Sequence, residues 1–196
     1  MTRTRKERIE DTRQRLLVAG RSAFATKGYA ESSMDDFTAN VGLTRGALYH
    51  HFGDKKGLLE AVISEIDGEM SARLRVITSQ AESTWQGFID ESIAYMEMAI
   101  EPEIQRIVLL DGPAVLGNPA RWSNQNACIQ GTMQCLKKLL SEGVISDVAP
   151  EATARLLNGA TLNAALWIAA AEDPLATLQD AKSAFVALAN GLLKTP

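Results

Sequence analysis

Residues Ser33 to Lys55 read SMDDFTANVGLTRGALYHHFGDK, and the order of residue types in this stretch defines two short helices joined by a tight turn. Ser33 can cap the first helix, and Met34, Phe37 and Val41 give it one apolar face at spacings of three and four. Gly42 follows the last apolar position, where a glycine accepts the left-handed backbone that ends a helix. Thr44 stands where it can cap a second helix, Arg45 to His50, which turns Leu48 inward and leaves Arg45, Ala47 and Tyr49 to face out. A helix pair in this relation, spanning about 33–52, is a helix-turn-helix, whose second helix enters a DNA major groove. An ordinary pair of core helices is the competing reading.

The chemistry of the second helix favours DNA. Gly46 and Ala47 contribute little to packing, yet small side chains let the backbone approach base edges, and an alanine methyl can meet a thymine methyl. Arg45, Tyr49, His50 and Lys55 place donors around that patch, suited to phosphate and guanine. Asp54 can cap a third helix with Lys55 in its first turn, where free backbone N–H groups already attract an anion.

On these residues the segment from about Arg8 to Glu65 resembles the DNA-binding domain of the tetracycline-repressor-like (TetR) family of bacterial transcriptional regulators. The resemblance rests on Leu16, Leu17 and Phe24, the Lys27-Gly28-Tyr29 turn, the string from Val41 to Phe52, and Asp54-Lys55 followed by Leu58-Leu59. Gly20, Phe37 and Thr38 depart from the family pattern, which has alanine, a β-branched aliphatic and alanine there. Gly20 and Phe37 are expected to compensate in volume, and Thr38 to add a phosphate contact. The expected DNA-binding residues are therefore Ser33, Thr38, Thr44, Arg45, Gly46, Ala47, Tyr49, His50 and Lys55. Arg45 and Ala47 read bases, Thr44 and Gly46 frame them, and Tyr49, His50, Lys55 and Thr38 hold phosphates.

Charge is unevenly divided. Residues 1–60 hold 11 Lys and Arg against 8 Asp and Glu, a net +3, while residues 61–196 hold 9 against 16, a net −7. A basic head on an acidic body suits a protein that meets DNA by one end; chance scatter of solvated charge is the alternative. Arg3, Arg5, Lys6 and Arg8 are candidates for a mobile arm reaching the minor groove, or for a solvated tail. The opening TRTRKER is too charged for a secretory signal, and no apolar run approaches the ~20 residues that span a bilayer, so a cytoplasmic protein is expected. Both histidines, His50 and His51, fall in the DNA-binding segment, which speaks against zinc and against most hydrolytic chemistry. No metal, cofactor or enzymatic activity is expected. Cys128 and Cys135 are seven residues apart on one helix, ~10 Å at helical rise, too far for a mutual disulfide.

The rest of the chain predicts an all-α body. We place a head at 8–68 and a ligand-binding and dimerisation body at 69–196. Leu59, Val62, Ile63, Ile66, Met70, Leu74 and Ile77 keep helical spacing, so the third head helix continues as a long connector. A second run ends before Pro102, and a short helix from Glu103 to Leu110 is expected to break at Asp111-Gly112-Pro113. Asn118-Pro119 is expected to start a helix that continues to Gly143, and two last helices to begin at Pro150 and Pro174.

Leu156, Ala160 and Ala164 on the first of those last helices, and Leu178, Ala181, Phe185, Leu188 and Leu192 on the second, form the candidate dimer stripe. Family resemblance implies the same, a homodimer on a four-helix interface. Trp85, Phe88, Tyr95, Met96, Trp122, Met133 and Trp167 are candidates for a ligand pocket, although such residues also build plain cores. The family houses an inducer in this domain, and apolar walls point to a hydrophobic or amphipathic one. The expected function is a repressor, bound to an inverted-repeat operator as a homodimer and released by a small molecule. A ligand-independent or protein-controlled DNA-binding module stays open, as does an enzyme on a helical scaffold.

Overall fold

A computed structural model describes residues 4–39, 41–122 and 125–194. Its first helix, α1 (Arg5–Glu31), is capped reciprocally: the Thr4 hydroxyl accepts from the Glu7 N–H (3.2 Å), and the Glu7 carboxylate accepts from the Thr4 N–H (2.7 Å). Arg5, Lys6 and Arg8 therefore stand on an ordered helix and not on a mobile arm, and Arg3 lies outside the described residues. Leu16, Leu17 and Phe24 face inward, and Phe24 meets Phe37 edge-on with ring centroids 5.2 Å apart. Gly20 does not compensate Phe37. A Cβ there would lie 2.7 Å from the Leu58 Cδ2, so the missing side chain makes room for Leu58.

The helix-turn-helix is α2 (Met34–Ala39) and α3 (Arg45–Phe52), with Gly42 at φ +61° between them. Helix α4 (Lys55–Gln80) starts two residues after α3, capped by Asp54, whose carboxylate accepts from the Gly57 N–H at 2.7 Å. Gly57 is forced by close approach, because a Cβ would sit 2.0 Å from the Phe52 carbonyl oxygen. Across its 26 residues α4 is ~39 Å long. Its Leu58, Leu59 and Val62 close the head core, while Ile63, Ile66 and Met70 continue the same apolar cluster into the body.

The body continues with α5 (Thr84–Glu97) and a helical run over 102–116 whose middle, Ile104–Asp111, is π-helical and whose end is α6 (Gly112–Leu116). A break was expected at Asp111-Gly112-Pro113; the helix instead widens. Pro113 has no N–H for the Leu109 carbonyl and its ring crowds that oxygen, and the turn before it opens so that the Gly112 N–H donates to Ile107, five residues back. The chain turns only at Gly117, φ +82°. Asn118-Pro119 begins a single 3₁₀ turn to Arg121, not a long helix; α7 starts separately and runs Gln125–Ser141.

Helices α8 (Pro150–Ala170) and α9 (Pro174–Asn190) begin at their prolines, and Asp173 caps α9. Their outward faces differ from the expected stripe. Leu178, Ala181 and Phe185 are buried within the protomer, with Phe185 against Phe88 at 6.2 Å between centroids. Leu192 packs beside Leu136 and Leu139 in a second small cluster, where the C-terminal segment is pinned by Ser146 N–H to the Leu192 carbonyl (2.8 Å) and Lys194 N–H to that of Val144 (3.0 Å). What faces outward is Leu156 (75% exposed), Gly159, Asn163 and Trp167 (53%) on α8, with Ala184, Ala187 and Leu188 (71%) on α9. Ala160 and Ala164 are half-buried beside that face. The stripe read from sequence mixes the two faces: Leu178, Ala181 and Phe185 belong to the inner one and Leu156 and Leu188 to the outer, because α9 has apolar residues on both sides and periodicity does not say which side is covered.

Candidate nucleic-acid interface and body cavity

Ser33 caps α2 through a reciprocal pair: its hydroxyl accepts from the Asp36 N–H (3.2 Å), and the Asp36 carboxylate accepts from the Ser33 N–H (2.6 Å). Lys27 also reaches Asp36, at 2.5 Å; Lys27 first and Ser33 second hold that carboxyl well below its ordinary range. Thr44 caps α3 by accepting from the Ala47 N–H at 3.2 Å. This geometry leaves Arg45, Gly46, Tyr49 and His50 exposed along α3, Ala47 half-buried beside them, and Leu48 fully buried as the anchor.

Two charges are pre-positioned. The Arg45 guanidinium donates to the Asp35 carboxylate through Nε at 2.8 Å and Nη2 at 2.5 Å. Both side chains are exposed, so this pair contributes little to stability. Lys55 rests its ammonium 4.2 Å from the Tyr29 ring centroid and donates to the Ala30 carbonyl at 3.4 Å, which fixes it between the end of α1 and the start of α4. Asp35 was missed as a partner of Arg45 because no sequence signal links residues across the turn. Lys56 is exposed beside Lys55.

Thr38 corrects the expectation of a phosphate contact. It is buried, and its hydroxyl donates to the Met34 carbonyl at 3.1 Å inside α2. A threonine one turn after a helix start commonly bonds back to its own helix in this way.

Between head and body, Arg21 donates to Glu103 at 2.8 Å through both Nε and Nη2, and to Glu69 at 2.7 and 2.8 Å. Glu103 first, then Glu69, raise the guanidinium pKa above its ordinary value. The π-helical stretch adds two further contacts. Arg106 donates to the Lys27 carbonyl at 2.8 Å, and the Asp111 carboxylate accepts the Tyr29 N–H at 2.7 Å.

A cavity of about 300 Å³ lies between α4, α5, α7 and α8. Of the aromatic and methionine candidates, it brings together Phe88 and Tyr95 alone. Met96 is core; Trp85 and Met133 pack against the second cluster; Trp167 is on the surface of α8. Trp122 packs against Gly112, where a Cβ would meet its Cη2 at 2.7 Å, and its buried indole N–H has no acceptor among the described residues. The walls are apolar in larger part, from Leu74, Phe88, Leu157 and Leu162, and Ser71, Arg75, Glu91, Gln125, Thr132 and Asn158 add polar groups to them. Small polar residues on helices look like solvated faces in a sequence, so only the aromatic signal was legible. Burial first, then Asp67 and Cys128, raise the Tyr95 phenol pKa. Cys128 opens to solvent along the cavity, yet the protein around its thiol raises its pKa, with Asp67 and Glu91 adding to the effect. Burial and then Glu91 push Cys135 to about 11, so the thiolate form that oxidants and metals need is scarce at neutral pH.

A short helix held by caps at both of its joints, exposing arginine, glycine, tyrosine and histidine beside a fixed lysine, on a helical body, defines a helix-turn-helix DNA-binding regulator. The chain belongs to the TetR family of transcriptional regulators. Residues 16–62 match the family described as bacterial regulatory proteins, tetR family, and residues 85–192 match the tetracyclin repressor-like C-terminal domain. The crystal structure of a TetR-family transcriptional regulator from Pectobacterium atrosepticum is 49% identical, with a TM-score of 0.91 over 99% of this chain and 100% of that one. The transposon Tn10 TetC protein of Escherichia coli is 26% identical over 191 residues, 96% of this chain and 93% of its own. The transcriptional regulator TtgR of Pseudomonas putida is 28% identical over 109 residues, about half of each chain. The fold is shared with RolR, solved in complex with resorcinol, at 18% identity and a TM-score of 0.72 over 94% and 90% of the two chains.

Proposed function

We propose that this regulator is a homodimeric repressor that leaves an inverted-repeat operator when a small molecule enters the body cavity. One observation carries the reading: α4 belongs to both sites. Its first residue is Lys55, at the DNA-facing end, and two to three turns past the head core its Ser71 and Leu74 line the cavity. A ligand that favours one seating of α4 changes the spacing of the two heads, and operator half-sites tolerate only one spacing. RolR supports a small-molecule site in this fold by holding resorcinol. AcnR of Corynebacterium glutamicum, 29% identical over 103 residues, is a transcriptional repressor.

Arg45 and Ala47 read bases in this account, Thr44 and Gly46 frame them, and Tyr49, His50 and Lys55 hold phosphates. Head and body divide near residue 68. The outward face of α8 and α9, led by Leu156, Trp167 and Leu188, receives the same face of a second copy. Its glycine and alanines let four helices approach closely. The chain works in the cytoplasm without cofactor or catalysis. A mobility-shift assay on a duplex selected from random DNA tests the reading, with a metabolite collection added in turn. A compound that stabilises the protein and releases the duplex supports it. A collection in which every stabilising compound leaves the complex intact contradicts ligand control and favours a protein-controlled module.

A further inference from the structure

Asp35 and Arg45 stand on different helices of the head, Asp35 in the first turn of α2 and Arg45 at the first position of α3. Other groups hold both backbones. Asp36, tied to Ser33 and Lys27, fixes the start of α2, while the Thr44 cap and the buried Leu48 fix α3. From these supports the Asp35 carboxylate takes one edge of the guanidinium, accepting from Nε at 2.8 Å and from Nη2 at 2.5 Å. Two parallel bonds of this kind set the plane of the guanidinium as well as its position. A guanidinium has five N–H groups, and this contact uses the Nε hydrogen and one on Nη2. The other hydrogen of Nη2 and both of Nη1 have no acceptor among the described residues, and one from each terminal nitrogen points the same way. The pair is exposed on the same side of α3 as Gly46 and Tyr49 and does little for the fold, so its consequence is for what Arg45 meets.

Base edges in the major groove differ in what they offer two parallel donors. Guanine presents two adjacent acceptors, O6 and N7. Adenine turns its amino group toward one of the donors, thymine sets a methyl beside its one acceptor, and cytosine presents an amino group. A guanidinium held by its inner edge keeps its terminal edge in place and has little rotamer freedom left to lose on binding. We infer that Asp35 is a positioning residue that makes Arg45 a guanine reader, so that each operator half-site carries a G·C pair opposite Arg45. The same carboxylate repels the phosphates of any duplex, so Asp35 lowers general affinity while it raises discrimination. This rests on Arg45 reading a base, as proposed above.

Single-base-pair variants of the duplex selected by the full chain, titrated with the parent and with Arg45→Ala, locate the pair that Arg45 reads: its replacement weakens the parent and leaves Arg45→Ala unaffected. The four duplexes that differ at that pair, and one random duplex, are then titrated with Asp35→Asn, an exposed change that keeps the Ser33–Asp36 cap of α2. The parent is expected to bind the guanine duplex at least about tenfold tighter than the other three. Asp35→Asn should reduce that preference to about threefold or less and bind the random duplex at least as tightly as the parent does. A preferred base other than guanine, or a guanine preference that Asp35→Asn retains, overturns the inference. An equal shift on all five duplexes overturns it too, by reducing Asp35 to a background charge if they gain and to a structural residue if they lose. The underlying reading fails differently: if every replacement weakens the parent and Arg45→Ala alike, Arg45 reads no base, and this inference falls with it.

Discussion

The Arg106 guanidinium lies directly on Gly28, with Nη2 only 2.3 Å from where a Cβ on residue 28 would be and 2.8 Å from the Lys27 carbonyl oxygen. Gly28 holds φ +79° and ψ 171°, a backbone region essentially closed to other residues, and this bend brings the end of α1 to the π-helical stretch of the body. Gly28→Ala is expected to cost about 1–3 kcal/mol from backbone strain, with a further loss from the displaced guanidinium. Chemical denaturation measures it. Adding Arg106→Ala should recover the second part and leave the first, and full recovery in the double variant would show that the backbone is unstrained.

Lys55 and Arg45 should fail in different ways. If Lys55 holds a phosphate as proposed, Lys55→Ala should weaken binding on all duplexes alike and lower the slope of log K against log salt by about 0.9. Arg45→Ala should lose about 1–3 kcal/mol on the selected duplex and much less on random DNA. Titrations at several salt concentrations distinguish the two, and an equal loss on both duplexes from Arg45→Ala would reduce it to a phosphate contact.

Thr38→Val tests the corrected role of that residue. The hydroxyl bonds within α2, so operator affinity and salt slope should both remain as in the parent, and the change should register only as a small loss of stability, about 1 kcal/mol. A salt slope lowered by about one would restore the phosphate reading.

Phe185 and Leu188 separate the two faces of α9. Phe185→Ala empties a core position against Phe88 and should cost about 3–5 kcal/mol in a denaturation experiment. Leu188→Glu places a charge on the outer face, 71% exposed in the protomer, and should leave helical content intact while sedimentation shows monomers. A Leu188→Glu variant that remains a dimer would move the interface elsewhere.

How much of this was legible depended on whether one local pattern determines the outcome. The caps at Ser33, Thr44, Asp54 and Asp173 and the prolines at 150 and 174 act within a turn of where they stand, and the elements start there. Pro113 shows the limit: it disfavours a regular helix, but packing on both sides keeps the run together and the strain is taken up by a wider turn. Trp122 and Trp167 show another, since a large aromatic side chain reports burial somewhere but not against what. Thr38 could have been read as back-bonding from its place four residues after Met34. The cavity's polar lining had no local signature at all, because Ser71, Gln125 and Asn158 converge only through the packing of three helices.

Selection of duplexes from a random pool by the full-length protein, followed by footprinting, tests the central claim most directly. The account predicts an inverted repeat whose half-site centres lie about one helical turn apart, ~34 Å, or a multiple of it, with the enrichment lost in Arg45→Ala. Enrichment of a single asymmetric site, or of no sequence at all, would contradict it.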